Sequence, residues 1–207
     1  MKTQAPERTR GTLRRWRTLL TALTALALLT GASAAWAIDL PGVMALLAQR
    51  KSGQAHFTEE RHVSTLDSPL HSSGTLTFSA PDQFARHTLE PRPESAEVQG
   101  NALLLKRGGR TRRMALDAVP ELSALLGALR GTLNGDAAAL QKHFRVEVSG
   151  SAAKWVMHLT PLDSRLAAQV RAMEVVGQQS DLRSIELDLT GGDSSLMLID
   201  PPTALPR

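Results

Sequence analysis

The residue types that most often do chemistry are present in this 207-residue chain, but their spacing does not assemble them. The six histidines, His56, His62, His71, His87, His143 and His158, include no H-x-H pair and no helical i, i+4 pair, so no local set of metal ligands forms. Glu59 and Glu60 are adjacent in a segment that reads as a strand, where neighbouring side chains point to opposite faces. They cannot work together as an acid and base pair. There is no cysteine to serve as nucleophile, thiolate ligand or disulfide partner. The G-x-S-x-G elbow, the H-E-x-x-H helix and the glycine-rich phosphate loop are absent. The expectation is no catalytic residue, no metal and no cofactor; an enzyme would need a site assembled in space from His, Asp and Ser. What the chain offers is apolar surface in two patterns and one cluster of positive charge, which point to binding.

The first pattern has a period of two. In residues 72–91, SSGTLTFSAPDQFARHTLEP, Leu76 and Phe78 alternate with Thr75 and Thr77. Pro81 and Asp82 then supply turn chemistry and Phe84 restarts the run, which reads as a β-hairpin. Before it, residues 54–63 place Phe57, Glu59, Arg61 and Val63 on one face and His56, Thr58, Glu60 and His62 on the other. Neither face is apolar throughout, so this strand is expected near an edge or a rim. Two strands are expected in 94–106 around Gln99-Gly100-Asn101, and another in 111–116 after Gly108-Gly109. From Phe144 onward the alternation returns, with Val146 and Val148, then Trp155, Met157 and Leu159, then residues 170–176. A last hairpin joins Ile185, Leu187 and Leu189 to Leu196 and Leu198 through Gly191-Gly192-Asp193, and Pro201-Pro202 ends the ladder. The fold class is mainly β with helices (α+β), with about ten strands, mostly antiparallel.

The second pattern is helical. Residues 39–50 begin with a capping aspartate and Pro41 and line up Val43, Met44, Leu46 and Leu47. Between strands, Leu122, Leu125, Leu126, Leu129 and Leu133 form an apolar stripe after Pro120. Asn134-Gly135-Asp136 stops that helix, and Asp136 can cap another over residues 137–142. A helical excursion inside a β meander has to cover something. Its leucines either close one end of the sheet as ordinary core or form a movable lid over an apolar cavity.

The charge cluster is the hairpin 106–113, with Lys106, Arg107, Arg110, Arg112 and Arg113. A solvated turn is its plainer reading; a contact for an anionic head group or an acidic partner is the functional one. On the second reading Arg107, Arg110, Arg112 and Arg113 would dock a membrane partner, and the protein would be a non-catalytic interaction module.

Residues 1–37 read as a secretory signal peptide. Lys2, Arg8, Arg10, Arg14, Arg15 and Arg17 precede an uncharged run over 18–31, which is shorter than the ~20 residues of a membrane span, and Ala35-Trp36-Ala37 offers the cleavage site. Six of the 24 Lys and Arg and one of the 20 Asp and Glu lie in this leader, leaving 18 and 19 in residues 38–207, a formal charge of −1. The basic balance of the whole chain therefore belongs to the leader, and nucleic-acid binding loses its compositional support. A single periplasmic domain over 38–207 is expected, long enough for its own core.

The opening helix, the F-T-E of Phe57, Thr58 and Glu59, the S-G-T-L of residues 73–76, the P-x-x-F of residues 81–84, Pro91 and the terminal Pro201-Pro202 occur in the order found in LolA-type outer-membrane lipoprotein carriers. The chain resembles that family, and most closely its divergent branch associated with aryl-polyene and pigment-lipid pathways. The resemblance implies an incomplete antiparallel β-barrel covered by a helical lid, a monomer that shuttles acyl chains across the periplasm. Its implied partners are a lipoprotein or acylated lipid cargo, an inner-membrane donor and an outer-membrane acceptor, with no cofactor. The chain departs from the family where Ser79-Ala80 replaces a basic residue before the hairpin proline, and where Arg86 replaces a Trp. Leu104, Leu105 and Lys106 also stand in for common aromatics. The expected lipid-binding residues are Leu76, Phe78, Phe84, Leu104, Trp155 and Met157 from strands, with Leu122, Leu125, Leu126 and Leu129 from the lid.

Overall fold

The computed structural model describes residues 37–118 and 120–201. Except for Ala37, the expected leader lies outside these residues. The elements run α1 (Leu40–Leu47), β1 (Ser52–His62), β2 (Leu70–Ser79), β3 (Gln83–Glu90), β4 (Glu94–Gln99), β5 (Ala102–Arg107) and β6 (Arg110–Ala115), followed by a 3-10 turn at Leu116–Ala118. Then come α2 (Pro120–Asn134), α3 (Ala137–Gln141), β7 (Phe144–Ser151), β8 (Lys154–Pro161), α4 (Ser164–Ala167), β9 (Val170–Gln178), β10 (Asp181–Leu189) and β11 (Ser194–Ile199). Between β8 and β9 lies α4, where Asp163 accepts hydrogen bonds from the backbone of Arg165 at 2.9 Å and Leu166 at 3.1 Å. Asp39 and Asp136 cap α1 and α3 as their positions predicted, accepting from Gly42 N at 2.9 Å and Ala139 N at 3.0 Å.

All eleven strands form one antiparallel sheet in the order β6-β5-β4-β3-β2-β1-β11-β10-β9-β8-β7. Two meanders, β1–β6 and β7–β11, are joined where β11 returns to pair with β1 in the register Phe57↔Ile199 and Glu59↔Met197. The sheet stays open: its edges are β6 and β7, which do not pair. β1 is therefore not an edge strand but the middle one, bonded to β2 and β11. Its mixed polarity has a different cause, because Ala55 and Phe57 face the interior and the polar residues crowd its last turn of alternation.

The helices cover the sheet unevenly. Val43, Met44 and Leu47 of α1, Ala124 and Ala128 of α2 and Leu140 of α3 pack on Phe144, Trp155, Met157, Leu159 and Val175 of β7–β9. A separate small cluster of Val98, Leu103 and Leu116 lies at the β4–β6 end, with Phe84, Leu105, Met114 and Leu126 against it. Trp155 is wholly buried, and its indole nitrogen donates to the Gln179 carbonyl at 3.0 Å. Its ring occupies the space over Gly177, where a Cβ would come within 2.0 Å of the six-membered ring.

That contact makes Gly177→Ala a sensitive substitution. An added methyl cannot be absorbed by a ring already packed on all sides, so the variant is expected to lose about 1–3 kcal/mol in denaturant unfolding. A loss below a few tenths would show that the indole can move aside.

Candidate functional site

Between the covered end of the sheet and the β4–β6 cluster lies an apolar cavity of about 550 Å³, within the ~300–1,000 Å³ range of small-molecule sites. Antiparallel register explains its floor. Side chains on one face of paired strands form cross-strand rows, and the first row is Gly53, Phe78, Phe84, Val98, Leu103 and Met114. Phe78 and Phe84 stack with ring centres 6.1 Å apart. The second row is Ala55, Leu76, Arg86, Ala96, Leu105 and Arg112, where charge first enters. Met197, Ile199 and Ile185 extend the lining across β11 and β10, and Leu126 and Leu129 of α2 form the roof.

The roof is tied down at its C-terminal end. The Arg130 guanidinium donates to the Gly100 carbonyl of the β4–β5 turn, and the Asn134 amide donates to the Pro81 carbonyl of the β2–β3 turn at 2.7 Å. Both turns belong to the strands that floor the cavity, so helix and floor are joined by polar bonds at one end and by Leu126 and Leu129 in between.

Arg86 is a cation in an apolar wall, and it is neutralised there. Its guanidinium donates to Glu59 Oε2 at 2.5 Å and to Ser72 Oγ at 3.2 Å, and lies 4.6 Å from the centre of the Phe57 ring. Ser72 donates to Glu59 Oε2 at 3.0 Å, and Ser195 donates to Oε1 at 2.6 Å. Burial pushes the Glu59 carboxyl up, but the bonds from Arg86 and Ser195, the Arg86 charge and the bond from Ser72 together hold it below its ordinary 4.5. Glu60, on the other face, meets His62 at 2.8 Å and His71 at 3.7 Å instead. Among the described residues no group of three His, Cys, Asp or Glu side chains is placed to hold a metal.

The residues singled out from the sequence divide among four places. Leu76, Phe78, Phe84, Leu126 and Leu129 line the cavity. Leu125 turns toward the main core, where it packs with Ala124 and Ala128. Trp155 and Met157 are part of that core, each with no exposed surface, because β8 lies under the helices. Leu104 is on the opposite side of β5, beside Arg113 on β6. The side chain of Leu122 lies outside the described residues. Of the four hairpin arginines, Arg107, Arg110 and Arg112 line a second hollow that adjoins the cavity, while Arg113 faces away with Leu104. Leu103 and Leu105 were missed because three successive leucines carry no alternation. Met197 was missed because nothing local tells that β11 pairs with β1.

An open antiparallel sheet with a helix-roofed apolar hollow is the architectural class. Residues 32–202 match the family described as outer membrane lipoprotein carrier protein LolA-like, and the chain belongs to that family. No curated protein sequence matches it. Among solved structures it is similar to a LolA superfamily protein from Nitrosomonas europaea, at 10% identity and a TM-score of 0.43 over 82% of this chain and 96% of that one. It is also similar to the lipoprotein LppX from Mycobacterium tuberculosis, at 12% identity and a TM-score of 0.41 over 81% and 98%. A third is LprF from Mycobacterium bovis, at 10% identity and a TM-score of 0.36 over 81% and 94%.

The Glu59 network makes stability depend on pH with a definite sign. The folded carboxyl titrates below the unfolded one, so its contribution is complete above about pH 4.5 and is lost as pH falls through the lowered folded value. Glu59→Gln is expected to lower stability at pH 7 by about 1–3 kcal/mol, since Arg86 keeps its charge without a counter-ion. It should also flatten the fall in stability below pH 4.5 that urea titrations of the unaltered protein show. Parallel pH profiles for the two proteins would mean that the carboxylate is not coupled to folding.

Proposed function

We propose that this protein is a periplasmic carrier that holds the acyl chains of a lipoprotein or lipid in the cavity under α2 and shuttles them towards the outer membrane. The observation that carries the reading is the lining itself: two phenylalanines and a set of aliphatic side chains, with Arg86 already neutralised by Glu59. Every methylene moved from water into such a surface is worth about 0.8 kcal/mol, so a chain of a dozen or more carbons gains on the order of 10 kcal/mol to set against the ~4–15 kcal/mol of lost ligand freedom. Family membership supports the same role. The lipid-binding residues on this reading are Leu76, Phe78, Phe84, Leu126 and Leu129, with α2 moving aside to admit the chain.

The export signal is part of the proposal, with cleavage after Ala37. The next residue, Ile38, is already anchored, its backbone N–H donating to the Gly150 carbonyl at 3.1 Å and its side chain packing on the main core. An inner-membrane donor and an outer-membrane acceptor would complete the route.

Native mass spectrometry of the protein purified from the periplasm tests the reading. An acyl-bearing mass is expected, and Leu126→Asp with Leu129→Asp should remove it while the far-ultraviolet circular dichroism is unchanged. A clean apo mass that takes up no added acyl lipid would defeat the proposal.

A further inference from the structure

The cavity does not end in a wall. A second hollow, of about 870 Å³, shares Arg86, Ala96 and Leu105 with it and opens to solvent at the hairpin end of β5 and β6. The third cross-strand row belongs to this hollow and reads Phe57, Gly74, Thr88, Glu94, Arg107 and Arg110. From the first row to the third the same face changes from wholly apolar to half charged, with the charges on β4, β5 and β6, over four residues of strand or about 14 Å.

The charges in the mouth do not cancel. Glu59 is taken by Arg86 at 2.5 Å, Glu94 by Arg107 at 2.8 Å, and Lys106 is held from outside by Glu97 at 3.0 Å. Among the described residues Arg110 and Arg112 make no ion pair within 4.0 Å, though both line the hollow and are exposed; Arg61 also lines it, but lies near enough to Asp193 to help lower that carboxyl. The register also sets Arg110 directly across from Arg107, a like-charge pair that destabilises a ladder. Arginines concentrated against their own repulsion at the mouth of an apolar cavity fit an anion at that place, because the guanidinium fork matches the oxygens of a phosphate.

We propose that the ligand is an acyl lipid with a net negative, phosphate-bearing head group, its chain in the cavity and its head held by Arg110 and Arg112. This deepens the carrier reading and rests on it. The geometry couples the two parts: the Arg112 row begins one step above the row of Phe78 and Phe84, so a chain lying on the phenylalanines brings its first polar atoms to the arginines. A neutral head would leave Arg110 and Arg112 without a counter-ion in the mouth, and an anionic one supplies it.

The test uses calorimetric titration of the mature protein with lysophosphatidylglycerol and the uncharged, phosphate-free monoacylglycerol of the same acyl length, below their micelle concentrations. The anionic lipid is expected to bind about tenfold or more tightly at low salt, and the preference should shrink as salt rises. Arg110→Gln with Arg112→Gln, both at exposed positions, should bring the anionic lipid down to the affinity of the neutral one. Equal affinities in the unaltered protein, or a preference that survives the double substitution, would overturn the head-group proposal while leaving the carrier intact. Failure of both lipids to bind would instead remove the carrier reading, and this inference with it.

Discussion

The two edges of the sheet, β6 and β7, are consecutive in the chain, so residues 116–143 must travel from one edge to the other over the concave face. That single requirement places α2 as a roof. The segment is short and its apolar surface is limited, and most of it is used where α1, α2 and α3 meet on Phe144, Trp155 and Met157. Among the described residues of α2, Leu126 and Leu129 face the β1–β5 end. Because the edges never pair, no further strand fills the gap, and an apolar hollow persists. A vacant apolar space costs on the order of 24 cal/mol per Å³ in packed cores, so the hollow is a burden on stability that the helix-covered core on β7–β9 offsets.

Polarity along the strands follows from the same geometry. Rows near the β2–β3 turn are closed over by α2 and are apolar; rows near the β5–β6 turn are beyond its reach and are charged. Arg86 lies at the boundary. It can be there because Glu59, one strand beyond β2, has its carboxylate satisfied from three sides by Arg86, Ser72 and Ser195. The family resemblance leads one to expect a Trp at this position, and the cation instead stacks on Phe57 while holding Glu59. The central strand thus joins the two halves chemically as well as by hydrogen bonding.

Much of the architecture was legible. Alternation between Phe57, Glu59 and Arg61, the glycine pairs at the hairpins, and the aspartates before α1 and α3 each act within a few residues, and local chemistry decides them. Gly108 and Gly109 adopt φ of 54° and 75°, as the turn reading of that pair required. The candidate site was legible only in part. Leu76, Phe78 and Phe84 are on the face that lines the cavity, on strands that alternate cleanly, whereas Leu104, in a strand with three leucines in a row, is on the opposite face. On α2 a 3.6-residue stripe cannot tell which of its flanks meets the core and which meets the hollow, so Leu125 and Leu126, neighbours in sequence, end in different places.

The amino-acid order alone determined the elements, their turns and caps, the absence of local metal or nucleophile motifs, and the resemblance to a carrier family. Each of these depends on residues close together in the chain. Tertiary structure decided what depends on pairing between distant segments. The meeting of β1 and β11 made a strand of mixed polarity the centre of the sheet and gave Glu59 its bond from Ser195. The passage of α2 across the sheet sent Trp155 and Met157 into the core and left Leu126 and Leu129 over the cavity. Register across β4, β5 and β6 then stacked the arginines of a hairpin above the apolar floor. Contacts of this kind join residues up to well over a hundred positions apart, and no local period or propensity encodes them.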